Sequence, residues 1–468
     1  MDGGAGKSPD AIVVGGGFAG LAAATLLAER GARVLLLEAR PYLGGRARSW
    51  IDPETGSTVD NGQHLFMGCY RDTLLLLARL GTRDRLDLQA RLSVPFVDPG
   101  GGVSSFSLPR LPLFSWSLLA GLLRFPGLTY RERLGLLRVA REVRRRTDRG
   151  PATAALDDVS VSSWLGALGQ SGRADERLWH PLAIAALNEE PERASAAMFL
   201  PVLKGLFLSG ADGSRLGVPH VGLSDLYAEP AAHYLRARGS DVRLRVQVRE
   251  VLFDHGRCAG VLLADGARLA APGVIAAVPP AELLEMLPAE IASRPFFAGC
   301  ARLETSPIVS VYLWFGGPVT DLPYAGLIGG EWQWLFNRRA FAGRGGAGSG
   351  VTLVRSAARS FVEASRGALV RKALDDLHRF FPASRRLALR HSLVIKEKRA
   401  ALAPARGSLA LRPTWRTPHA GFHLAGDWTA TGLPATIEGA VISGHACARQ
   451  VLEEGRPSPS AGHAGLTR

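Results

Sequence analysis

Gly15, Gly17 and Gly20 form the spacing GxGxxG, an arrangement suited to holding phosphate. The first glycine permits a tight turn, the second lets the backbone come close to a pyrophosphate, and the third lets a helix pack against a strand. Glu38, about 20 residues further on, is placed to accept hydrogen bonds from a ribose diol. These roles need a strand before the glycines, a helix after them and a second strand ending at the acid. The sequence supplies AIVV at 11–14, an Ala/Leu-rich stretch opened by Phe18 and Ala19 and ended by Gly31, and RVLLLEA at 33–39. The N-terminus of that helix would face two negative charges. In this context a merely structural glycine turn is the weaker alternative, and an ADP-containing dinucleotide is expected. The unit alone does not separate FAD from NAD.

Directly after it, EARPYLGGRA contains Ala39 and Arg40, then Gly44, Gly45 and Arg46. The glycine pair allows a second close backbone approach, and a guanidinium can pair with phosphate through two bonds. Solvated surface arginines are the alternative.

The chain as a whole can position such a site. With 468 residues, 47% of them apolar, two or three domains and more than one core are within reach, and disorder is not the default. A net charge of +14 would suit nucleic acid or an anionic membrane, but the lysines are only Lys7, Lys204, Lys372, Lys396 and Lys398. An arginine bias this complete reads partly as coding composition, which leaves a weak preference for acidic surfaces and no expectation of nucleic acid. The four cysteines, Cys69, Cys258, Cys300 and Cys447, lie far apart with no CxxC pair, so neither a metal site nor a disulfide scaffold is signalled, and a reducing cytoplasm fits. Residues 11–27 are apolar, yet Asp10 precedes them and three successive glycines interrupt them, unlike a signal peptide.

Residues 111–128, LPLFSWSLLAGLLRFPGL, are broken by Pro112 and Pro126 and carry Arg124. Spanning a bilayer takes roughly 20 uninterrupted apolar residues. The segment is therefore either a buried helix of a second domain or a patch that dips into lipid, helped by the arginines from Arg131 to Arg146. Residues 242–278 read as β structure with a turn at 254–257, and 308–315 alternate as a strand. Residues 343–350 read as a glycine-rich surface loop, and the tail after Gly455 as disordered.

The GGR segment, following an ADP-binding unit, resembles the flavin amine oxidase and phytoene desaturase superfamily. HLAGDWTATGLPATIEGAVISGHACA, near the C-terminus, is similar to that superfamily's second FAD-binding segment. VDNGQHLFMGCYRDT at 59–73 and GDWTATGLPATIEGA further resemble the squalene-associated FAD-dependent desaturases, the hydroxysqualene dehydroxylases. Fragments ALNEEPERASA and LSDLYAEPAAHYL support this, although Glu189 and Glu190 depart from the pattern. The resemblance implies an α/β fold: a doubly wound, Rossmann-like FAD-binding domain with an inserted α+β substrate domain. The FAD domain would comprise residues 1–80, 220–290 and 415–455, the substrate domain 81–219 and 291–414, with 456–468 a tail.

By the same resemblance, Gly426 and Asp427 approach the pyrophosphate and ribityl portion of FAD, Val248 meets adenine through its backbone, and Gly62, Gln63 and His64 lie near the flavin. Pro434, Ala435, Thr436 and Ile437 read as a helix start, whose N–H groups suit the pyrimidine side of an anionic reduced flavin.

The implied reaction, part of squalene and hopanoid biosynthesis, replaces the hydroxyl of hydroxysqualene with hydride from reduced FAD and releases water. It needs a proton donor, an apolar dry tunnel and a fixed cofactor. His64 is the candidate proton donor, with an ordinary hydrogen-bonding role as the alternative. Tyr312 with Trp314, and Trp332 with Trp334 and Phe336, would share strand faces and could stabilise a passing cation, core packing being the competing use. The rival activity is a carotenoid-type desaturase or amine oxidase working oxidatively; a non-enzymatic flavin-binding module is a third reading. The expected partners are a hydrophobic triterpenoid, the cytoplasmic membrane in peripheral contact, and upstream squalene-pathway enzymes.

Overall fold

The structure, a computed structural model, describes residues 8–109, 114–148, 154–170, 172–341 and 349–455. The expected tail, most of the glycine-rich loop and the start of the 111–128 segment lie outside them.

Five short strands form a parallel sheet in the order Asp241–Leu244, Val34–Glu38, Ala11–Val14, Val274–Ala276, Phe422–Leu424. Its central strands are apolar at every position except Glu38, at the end of its strand, because both faces are covered, as parallel sheets require. One face carries the helix Phe18–Glu29, buried at nearly every residue between the sheet and the long helix Ile437–Glu454. Small residues permit this contact: a Cβ on Gly444 would lie 2.2 Å from the Ala19 carbonyl oxygen. The other face is covered by an antiparallel sheet of Val248–Asp254, Arg257–Leu263 and Arg268–Ala270. The first two strands meet at a hairpin whose turn residues, His255 and Gly256, both have positive φ.

The second layer system is a seven-stranded sheet in the order Leu389–Leu402, Thr305–Phe315, Ser349–Arg355, Trp334–Asn337, Tyr324–Leu327, Ser93–Val97, Val103–Ser107. The helix Arg366–Phe380 packs on one face. The other face looks toward a helical group that includes Tyr130–Asp148, His180–Leu187 and Ala196–Leu208. Leu122, Phe125 and Leu128 are core residues, so the described part of 111–128 is a packed wall of this domain. Among the described residues, no helix is long and apolar enough to cross a membrane.

Candidate active site

The three glycines of the turn are required for three different reasons. Gly15 has φ +105°, and a Cβ there would lie 2.4 Å from the Ala277 carbonyl oxygen. A Cβ on Gly20 would lie 1.9 Å from the Gly15 carbonyl oxygen, so strand and helix could not close. A Cβ on Gly17 meets no protein atom within 4 Å and would project into open space. Gly17 caps the helix with no side chain on its N-terminus, and the amides of Phe18, Ala19 and Gly20 have no partner among the described residues. Buried amides are seldom left unpaired, so this row of amides at a helix N-terminus without a side-chain cap fits a pyrophosphate.

Glu38 orders the same turn from the side. Its carboxylate accepts from the Gly16 amide at 2.8 Å and the Arg40 amide at 2.9 Å, with lone pairs left for a ribose. The GGR loop folds back against the turn: the Gly44 amide donates to the Gly16 carbonyl at 2.8 Å, and a Cβ on Gly45 would lie 3.4 Å from Gly17 Cα. Arg46 reaches across the molecule, donating to Asp427 at 2.7 Å and to the Ala400 carbonyl at 2.9 Å. It therefore ties the first dinucleotide segment to the last. Arg40 lies exposed and donates to the Tyr42 hydroxyl. Tyr227, which the sequence did not single out, fixes this loop by donating to the carbonyls of Gly44 at 2.7 Å and Ala47 at 3.0 Å.

Facing the turn, Thr436 caps the helix Ile437–Glu454 by accepting from the Gly439 amide at 3.1 Å. The amides of Ala435, Thr436, Ile437 and Glu438 have no partner among the described residues, nor do those of Asp427 and Trp428. Glu438 turns away from its own helix and caps Arg71–Arg79, accepting from the amides of Asp72 at 3.0 Å and Thr73 at 2.9 Å. Asp60 also acts as a tether, accepting from Ser49 at 2.6 Å and from the Leu223 amide at 3.0 Å.

All these elements open on one cavity of about 1820 Å³, well beyond the roughly 300–1,000 Å³ of a drug-sized pocket. Ala39, Gly62, Gln63, His64, Val248, Gly426, Asp427 and Pro434 line it together with Gly15, Gly16 and Gly17, whereas Gly20 is not among its lining residues. An apolar arm continues between the large sheet and the helices. Its floor is a row across neighbouring strands, Ile395, Ser310, Val354, Trp334 and Phe96, with Gly326 in register before the last. Leu178, Leu182, Leu200 and Phe207 line it from the helical side. His64 sits in the wall with Nδ1 3.0 Å from the Gly62 carbonyl.

The aromatic residues divide. Trp334 and Phe336 line the cavity, whereas Tyr312, Trp314 and Trp332 are not among its lining residues. Tyr312 is fully buried and donates to the Asp60 carbonyl at 2.7 Å, and Trp314 packs beneath the Arg338 guanidinium. Trp332 precedes the strand Trp334–Asn337, so the expected alternation does not reach it, and it packs edge-on to Phe361 in a separate core. Glu189, the departure from the expected pattern, is fully buried and holds Arg359 through bonds of 2.7 and 2.6 Å.

Amides converging from two ends on one cavity suit an elongated dinucleotide whose far end reacts with an apolar molecule. The chain matches the family model for flavin containing amine oxidoreductases over residues 18–452 and belongs to that family; it is an FAD-dependent oxidoreductase. It is 32% identical to the hydroxysqualene dehydroxylase of Rhodopseudomonas palustris, over 95% of this chain and 98% of the relative. It is 28% identical to a probable zeta-carotene desaturase of Synechococcus elongatus, over 94% of this chain and 98% of that one. Among solved structures it resembles a double mutant of putrescine oxidase with a TM-score of 0.72 at 17% identity, over 95% of this chain and 99% of that chain. It also resembles the cyclohexylamine oxidase of Brevibacterium oxydans, with a TM-score of 0.67 at 20% identity, over 96% and 99%.

Proposed function

We propose that the chain reduces hydroxysqualene to squalene, replacing an allylic hydroxyl with hydrogen. One observation carries this: the apolar arm runs into the cofactor end without a dividing wall, so a long hydrocarbon can lie with one carbon at the cofactor and the rest among Leu, Phe and Trp side chains. The similarity to a hydroxysqualene dehydroxylase points the same way.

FAD, bound and reduced, supplies the hydride. The chain's residues bind, orient, exclude water and deliver one proton: the C–O bond breaks, the oxygen takes the proton and leaves as water, and hydride ends on carbon. The amides of Phe18 and Ala19, with Gly17, Gly44, Gly45 and Arg46 behind them, hold the pyrophosphate, Glu38 the ribose and Val248 the adenine. Gly62 and Gln63 would lie near the flavin, Gly426 and Asp427 near the ribityl chain, and the amides from Ala435 to Ile437, after Pro434, would serve the pyrimidine side. His64 delivers the proton from Nε2, since Nδ1 is taken by Gly62. Trp334 and Phe336 offer aromatic faces to the developing cation.

Exposed Tyr130 and Leu134 beside exposed Arg131, Arg138, Arg141 and Arg144 support peripheral membrane contact, from which the substrate and neighbouring squalene-pathway enzymes are reached. Protein absent from the pellet with anionic liposomes would remove that part.

Anaerobic mixing of photoreduced holoenzyme with hydroxysqualene should reoxidise the flavin and yield squalene. Flavin that stays reduced while the compound is bound overturns the proposal. Similarity to a zeta-carotene desaturase favours one rival, removal of hydride from a polyene; bleaching of oxidised flavin by a carotenoid precursor selects it.

A further inference from the structure

Arg412 is 5% exposed, and its guanidinium touches no carboxylate. It donates instead to four carbonyls of one loop: Asp427 at 2.8 Å, Trp428 at 3.2 Å, Thr429 at 2.5 Å and Leu433 at 2.6 Å. A further bond of 3.3 Å reaches the Met198 sulfur. The nearby acids are engaged elsewhere. Asp427 pairs with Arg46, and Asp157 accepts from Ser195 at 2.8 Å and the Leu409 amide at 2.9 Å. Burial pushes Arg412 down to about 10, which leaves it charged at neutral pH.

A buried cation normally needs a pairing anion, and a loop normally turns its carbonyls to water. Here both conditions are reversed together. Asp427, Trp428 and Leu433 line the cavity, while Arg412, which draws in their carbonyls, does not. With those carbonyls held inward, the unpartnered amides of Asp427 and Trp428 are left for the cavity side.

We propose that Arg412 is a positioning residue for the dinucleotide: it presets the loop Gly426–Leu433 for an anionic ligand, and its charge is balanced by that ligand rather than by a carboxylate. Two-electron reduction with uptake of one proton adds one negative charge to the bound cofactor, so a buried cation behind the loop favours the reduced form. Arg412 would therefore both tighten FAD binding and raise its midpoint potential.

The test pairs Arg412→Lys with Arg412→Gln and reads two quantities: the Kd of apoprotein for added FAD, and the midpoint potential of bound FAD against a reference dye. A lysine keeps the charge but cannot span four carbonyls, so Arg412→Lys should weaken binding by about tenfold while keeping the parent potential. Arg412→Gln should weaken binding at least as much and shift the potential negative. Glutamine protein with the parent Kd and potential overturns the proposal. Should the glutamine variant not fold, lysine protein with an unchanged Kd does so alone. No substrate is used, so failure here is distinct from failure of the hydroxysqualene assignment.

Discussion

At the cofactor end of the cavity the contacts come from main-chain amides and from glycines, whereas in the apolar arm they come from side chains on strands and helices far apart in the chain. The first end is built from two short continuous stretches, residues 11–46 and 426–439, with Val248 and the 62–64 segment brought alongside. The arm draws on Leu92 to Phe106, Leu178 to Phe207, Ile308 to Phe336 and Ile395. A phosphate needs exact backbone geometry, which few residues can give; a hydrocarbon needs only apolar volume, which many can give.

The sharpest way to break this contrast is within the turn itself. Gly20→Ala forces a Cβ to within 1.9 Å of the Gly15 carbonyl oxygen, so the protein should purify colourless and melt early. Gly17→Ala meets no protein atom within 4 Å, so its apoprotein should melt like the parent while its FAD affinity falls by about tenfold or more. Absorbance at the flavin band per mole of protein, with apoprotein melting curves, reads both. If Gly17→Ala kept full affinity, the open space above that residue would not be where the dinucleotide backbone comes close.

A smaller effect separates two tryptophans that sequence alternation had placed together. Trp332→Ala empties a fully buried position and should cost about 3–5 kcal/mol of unfolding free energy, with flavin content retained. Trp334→Ala removes part of the cavity wall, where space already exists, and should cost less in stability while weakening binding of a long hydrocarbon. Denaturant titration beside ligand titration sharpens the comparison; equal stability losses would mean that Trp334 is an ordinary core residue.

These two residues also show how far the sequence could be read. The spacing of Gly15, Gly17, Gly20 and Glu38 was legible because a βαβ turn is local: the residues that must touch lie within one unit of sequence. The start of the final helix was legible for the same reason, through Pro434 and Thr436. Trp332 was misplaced because alternation holds only inside a strand, and nothing local marks that the strand begins at Trp334. Arg412 and Tyr227 were missed on different grounds. Each acts on backbone carbonyls supplied by other segments, and an arginine bonded to carbonyls looks, in a sequence, like any surface arginine.

The smallest effect concerns His64, which lines the cavity beside Gly62 and Gln63. Burial, with a lesser contribution from the Arg46 guanidinium, holds its imidazole below the usual value. The Gly62 carbonyl can only accept, so the proton of the neutral ring stays on Nδ1, and Nε2 carries the lone pair. In the unfolded chain the ring titrates near ~6.5. Between that value and the lower folded one, unfolding takes up a proton, so stability falls as pH drops through the window. His64→Gln should remove this part of the acid sensitivity. The same shift makes the imidazolium scarce at neutral pH but a strong acid once formed. If Nε2 delivers the proton to the departing hydroxyl, single-turnover flavin reoxidation by hydroxysqualene should quicken as pH falls toward the folded value, by up to about tenfold per unit. His64→Gln should flatten that profile. A profile that keeps its slope in the variant assigns the proton to another group and leaves His64 as part of the cavity wall.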